Sequence, residues 1–196
     1  MIQDYSLIAI GSSWGGLKAL SRVLDTMPSA VEAPIVVAQH RSPDSMSGGL
    51  RDLLARHTTR IVREAEDKDP LEPCHVYLAP PDYHLLVERG RLALSIDAAV
   101  QFARPSIDVL FESAADAYRD EAIGIILTGA NEDGAVGLAR IKARGGVAIV
   151  QEPATSERRA MPDAALKAAA ADAVLELDEI GPFVYGLCCA GAGVHA

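Results

Sequence analysis

Three side chains in this sequence have the types needed for acyl transfer: Ser13, His40 and Asp133. A serine hydroxyl becomes an effective nucleophile when a base takes its proton. An imidazole can do so near neutral pH, and a carboxylate can hold the other ring nitrogen and stabilise the imidazolium that forms. Ser13 lies in Ser6-Leu7-Ile8-Ala9-Ile10-Gly11-Ser12-Ser13-Trp14-Gly15-Gly16, an apolar run ending in two serines and two glycines. Two other uses of such a turn fit poorly. Gly11, Gly15 and Gly16 do not supply the GxGxxG spacing of a dinucleotide cradle, and no Lys followed by Ser or Thr completes a phosphate loop. Each residue also has a purely structural reading: Ser13 as a helix cap, His40 as a hydrogen-bonding group at a strand exit, and Asp133 as a cap for a helix beginning near Ala135.

The elements that must position these groups follow from hydrophobic patterning. Residues 7–10, 35–38, 123–127 and 147–150 are short continuous apolar runs, the pattern of strands buried on both faces. Segments 16–27, 46–57, 105–119 and 133–144 carry helical patterning between them. Alternation of this kind predicts an α/β fold, a doubly wound and mostly parallel sheet with helices on both faces. Ser13, His40 and Asp133 each follow a predicted strand, so a parallel sheet brings all three to its carboxyl edge. Residues 64–73 read as polar turns, 75–79 as a strand, and 85–96 as an antiparallel hairpin turning at Arg89-Gly90. A late helix over 161–170 and a short strand over 173–177 complete the domain, expected to span 1–184. The small-residue-rich tail, 185–196, is expected to fray from Gly186.

Composition narrows the function classes. The 196 residues suit one domain, 49% hydrophobic and 23% charged. Eighteen Lys and Arg against 27 Asp and Glu leave a net charge of −9, which argues against nucleic acid as a partner. No run reaches the roughly 18 apolar residues of a spanning helix and no secretory leader is evident, so no direct membrane insertion and a cytoplasmic location are expected. The three cysteines and five histidines form no zinc spacing, and neither metal nor cofactor is expected.

The ordered set IAIGSSWGG, VVAQH, RPSIDVLFESAA, GIILTGANEDGAVGL and AMPDAAL resembles the catalytic domain of the chemotaxis protein-glutamate methylesterase family, CheB, over about 6–184. The resemblance implies Ser13 as nucleophile, His40 as base and Asp133 as orienting acid. The reaction it implies is hydrolysis of a glutamate γ-methyl ester in a chemoreceptor, with glutamine deamidation in some relatives. It also places an oxyanion site or substrate pocket at Trp14, Ala130 and Met161. The implied partner is a methylated chemoreceptor or related signalling protein, with a separate receiver or kinase as regulator. In the familiar architecture a receiver precedes the esterase. Here the first strand starts almost at Met1, so no preceding receiver is expected.

The sequence departs from the family pattern at several points. Trp14 stands where threonine is common, Ala130-Asn131 where Met-Gly is common, and Ala160 where glycine precedes Met161-Pro162. A tryptophan beside the nucleophile has three readings: a wall of the ester pocket, a residue turned into the core, or a plug. The plug reading supports an alternative in which the domain binds signalling proteins without catalysis. An esterase acting on another protein is a further alternative. Arg104 and Asp108 are expected to shape and cap the start of the 105–119 helix, with Arg158 and Arg159 on a basic surface.

Overall fold

The computed structural model describes residues 5–42 and 48–189. In chain order the elements are β1 (Leu7–Ser12), α1 (Gly16–Thr26), β2 (Ile35–Gln39), α2 (Gly49–Leu54), β3 (Ile61–Glu64), β4 (His75–Leu78), β5 (His84–Glu88) and β6 (Arg91–Ser95). They continue with α3 (Ile107–Tyr118), β7 (Ala122–Ile126), α4 (Ala135–Ala143), β8 (Val147–Gln151), α5 (Ala160–Ala168), β9 (Ala173–Leu175) and α6 (Leu177–Cys189). Seven strands form one parallel sheet in the order β3-β4-β2-β1-β7-β8-β9, and β5 and β6 pair as a separate antiparallel hairpin. The expected α/β architecture and the hairpin at Arg89-Gly90 are both present.

Strand alternation sorts the core into two layers. Ile8 and Ile10 pack with Ile35, Val37, Ile123 and Ile125 beneath the buried face of α1, formed by Ala19, Leu20, Val23 and Leu24, and beneath Ile180 and Val184 of α6. Leu7, Ala9, Val36 and Ala38 face the other way, onto Leu110, Phe111 and Ala114 of α3, Leu138 and Ile141 of α4, and Leu85 and Leu92 of the hairpin. Central strands read as continuous apolar runs because both of their faces are covered. Gly11 belongs to the second layer. A Cβ there would fall 2.3 Å from Ile107 Cγ2, so this glycine lets the start of α3 close onto the end of β1.

Chain order reverses around β1: β2 lies on one side and β7 on the other. In open α/β sheets the crevice outside such a reversal is where ligands bind. Two elements escape sequence patterning. The edge strand β3 is partly polar, with Ile61 exposed; hydrophobic patterning assigns no element to 61–63 and places Glu64 in the polar turns. The tail expected from residue 185 is helical through Cys189, because Ile180 and Val184 anchor α6 against α1. Residues 190–196, and residues 43–47 at the start of the expected 46–57 helix, lie outside the described residues. No described helix is long and apolar enough to cross a membrane.

Candidate active site

The turn after β1 is built by backbone constraints. The Ser13 amide donates to the Thr128 carbonyl at 3.0 Å, and Gly16 N–H closes back onto the Ser13 carbonyl at 2.9 Å. Gly15 has φ 78°, a left-handed conformation that a side chain strains. A Cβ on Gly16 would lie 2.1 Å from Gln39 Oε1. The buried amide of Gln39 accepts from Ser12 Oγ at 2.6 Å and donates to the Ser13 carbonyl at 2.8 Å, binding the end of β2 to the turn after β1. Gly15 therefore has a conformational reason and Gly16 a packing reason within the turn.

His40 leaves β2 one residue later, its amide donating to the Ser12 carbonyl at 3.0 Å. Its ring lies between the two other residues: Nδ1 is 3.2 Å from Ser13 Oγ, and Nε2 is 2.7 Å from Asp133 Oδ2. Asp133 is fully buried. The capping expectation for it is redirected. Gly134, with φ 94°, occupies the cap of α4, whereas the Asp133 carboxylate sits at the N-terminus of α3. Oδ1 accepts from Ser106 Oγ and the Asp108 amide, each at 2.9 Å, and Oδ2 accepts from the Ile107 amide at 2.7 Å. Burial alone would raise the Asp133 pKa, but the hydrogen bonds from His40, Asp108 and Ile107 outweigh it and hold the carboxyl below the usual range. The ionised carboxylate keeps the proton of a neutral His40 on Nε2, so the Nδ1 lone pair faces Ser13.

Asp108 is a buried neighbour that sequence patterning assigned to capping its own helix. Instead its Oδ1 accepts from the Gly137 amide at 2.7 Å, capping α4, and its Oδ2 accepts from Gln101 Nε2 at 2.9 Å. Burial lifts its pKa to about 6; the Gly137 hydrogen bond opposes the rise and the Asp133 charge adds to it. Thr128, by contrast, is a residue with no sequence signal. Its Oγ1 donates to the Trp14 carbonyl at 3.0 Å and accepts from the Arg158 amide at 2.8 Å, tying the loops after β1, β7 and β8 together.

The remaining predicted site residues separate. Trp14 is 58% exposed, with Nε1 donating to Glu157 Oε1 at 2.9 Å and the Arg158 guanidinium 5.3 Å from the ring centroid. It is thus not in the core. Ala130 is exposed in the loop before Asp133. Met161 is fully buried beneath Gly129, where a Cβ would lie 2.4 Å from Met161 Cε, and its amide donates to the Gly129 carbonyl at 3.1 Å. It supports the acidic loop from below and does not line the surface. Arg104 shapes a loop as expected, donating to Asp82 Oδ1 at 2.6 Å and to the Ile96 carbonyl at 2.8 Å. Arg159 pairs with Asp163 at 2.7 Å on the surface.

A cavity of about 520 Å³ opens beside His40, with Arg41, Gln101, Phe102, Arg104 and Asn131 among its walls. Among the described residues no group of three or more His, Cys, Asp or Glu side chains has a metal-binding arrangement. A base poised on a hydroxyl, with its far nitrogen held by a buried carboxylate, is an arrangement suited to nucleophilic attack on a carbonyl.

The family model described as CheB methylesterase matches residues 8–184. A Leptospira interrogans protein, provisionally named a protein-glutamate methylesterase/protein-glutamine glutaminase, is 46% identical over 178 residues, covering 90% of this chain and 92% of its own. The protein-glutamate methylesterase/protein-glutamine glutaminase of Maricaulis maris is 39% identical over 184 residues, covering 90% of this chain and 45% of its own. Among solved structures, the Thermotoga maritima CheB methylesterase catalytic domain superposes with a TM-score of 0.87 at 32% identity, covering 93% of this chain and 98% of that one.

Proposed function

The chain belongs to the CheB methylesterase family of hydrolases, and from that premise we propose that it removes γ-methyl esters from chemoreceptor glutamates through Ser13, His40 and Asp133. The observation that carries the proposal is the single imidazole held between Ser13 Oγ at 3.2 Å and Asp133 Oδ2 at 2.7 Å. His40 Nδ1 takes the Ser13 proton as Oγ attacks the side-chain ester carbonyl, and Asp133 stabilises the imidazolium. The tetrahedral oxyanion is received by the backbone amides of Trp14 and Ala130, which donate no hydrogen bond among the described residues. Collapse of the intermediate breaks the C–O bond, His40 delivers its proton to the leaving oxygen, and methanol departs. Water then loses a proton to His40 and attacks the acyl-serine. Ser13 is reprotonated, and the glutamate carboxylate and one proton are released. The same steps on a glutamine side chain release ammonia.

The exposed position of Trp14, held by Glu157 and Arg158, favours this reading over a binding domain with a plugged site. The test is methanol release from methylated chemoreceptor by the unsubstituted protein and by Ser13→Ala. Release abolished by the substitution is the expected result. Absence of both methanol and ammonia from the folded, receptor-bound protein overturns the assignment.

A further inference from the structure

Asn131 lies on the wall of the cavity beside His40, in the loop that leads to Asp133. Its Nδ2 is 3.5 Å from His40 Nδ1, the nitrogen that also faces Ser13 Oγ, while its Oδ1 is buried and has no hydrogen-bond partner among the described residues. The orientation of this amide follows from the charge on Asp133. With the neutral imidazole's proton on Nε2, Nδ1 presents a lone pair, so the Asn131 atom facing it must be the donor. At 3.5 Å the contact is too long for a strong hydrogen bond, and the NH₂ group is not consumed by the ring.

We propose that Asn131 selects the leaving group, favouring an ester oxygen over an amide nitrogen; this rests on the hydrolase reading above. In the first half-reaction His40 must hand its proton from Nδ1 to the leaving atom, so that atom sits on the open side of the nitrogen that Asn131 also faces. Once His40 carries the serine proton, Nδ1 is itself a donor and no longer accepts from Asn131. The amide N–H is then free at the moment the leaving oxygen gathers negative charge. A methoxy oxygen can take the proton from His40 on one lone pair and a hydrogen bond from Asn131 on another. A carboxamide nitrogen cannot. Its one lone pair takes the His40 proton, and its own hydrogens face the Asn131 hydrogens, donor against donor.

The experiment compares kcat/KM for methanol release from a γ-methyl glutamate polypeptide with kcat/KM for ammonia release from the matched glutamine polypeptide. Asn131→Ala and Asn131→Asp are measured beside the unsubstituted protein. The ratio does not depend on the fraction of protein correctly folded, so a partly destabilised variant still reports. A lost hydrogen bond to a developing charge predicts a fall in the methanol-to-ammonia ratio of about tenfold in Asn131→Ala, and a larger fall in Asn131→Asp, whose carboxylate offers no donor. If no protein releases ammonia, the γ-methyl thioester takes its place as comparison, because its sulfur is a weak acceptor. An unchanged ratio, or one that moves toward methanol, overturns the role of Asn131 while leaving the hydrolase reading intact. Absence of methanol from the unsubstituted protein overturns the hydrolase reading itself.

Discussion

Ser13 and His40 could each have been ordinary turn residues; Asp133 is what gives their contact a direction. Its two oxygens receive four donors, from Ser106, Ile107, Asp108 and His40. An Asp133→Asn substitution keeps the shape but turns one of these acceptors into a donor among donors. It also permits the imidazole tautomer whose proton faces Ser13. Activity is expected to fall by about 10³- to 10⁴-fold in kcat. A lowered midpoint of thermal unfolding is expected alongside it, because a buried donor is left unpaired. Steady-state methanol release and calorimetry on the same preparation check both parts. Ser13 and His40 were legible in sequence because each closes an apolar run. The donors to Asp133 were not, since they belong to α3, 25 to 27 residues away in the chain.

At the scale of elements, the site depends on how closely two backbones can approach. Gly11 admits α3 to the end of β1, and the same logic governs α6 against α1. A Cβ on Gly181 would lie 2.3 Å from the Thr26 carbonyl oxygen, whereas one on Gly186 meets nothing within 4 Å. Gly181→Ala is therefore expected to destabilise the protein by about 1–3 kcal/mol through forced separation of the helices. Gly186→Ala is expected to stabilise it by about 0.5–1 kcal/mol, the helix-interior cost of glycine. Paired denaturant titrations read both signs. The long apolar runs of β1, β2, β7 and β8 were legible as strands. Edge strand β3 was not, because one covered face leaves a weaker pattern, and α6 was obscured by its glycines, of which only Gly181 is explained by the neighbouring helix.

For the molecule as a whole, Asp133 and Asp108 couple α3 to the loop before α4 and give stability two opposed dependences on pH. Asp133 has a depressed pKa. Its contribution is present above the unfolded carboxyl value of about 3.9 and is lost as pH falls through the folded value. Asp108 is raised to about 6, so the folded state holds a proton that the unfolded chain has released. Stability from this group is present below about pH 4 and is lost as pH rises toward 6, a change on the order of 3 kcal/mol. Asp108→Asn is expected to remove the decline between pH 4 and 6, and unfolding free energies measured across that window check it. The net charge of −9 acts over longer distances and disfavours encounter with acidic segments.

The apolar runs, their alternation with helical segments and the glycines after β1 determined the parallel α/β architecture from the sequence alone, because hydrophobic period and backbone freedom are local properties. Placing Ser13, His40 and Asp133 at the ends of successive central strands also determined that they would share one edge. Only the tertiary structure decided which imidazole nitrogen faces the serine, and that the carboxylate is held by another helix's amides. It also decided that Trp14 is exposed while Met161 lies buried beneath Gly129, and that Asn131 stands beside His40 Nδ1. Those outcomes depend on the relative orientation of groups distant in sequence, which the packing of α3, α4 and the loops tied by Thr128 sets.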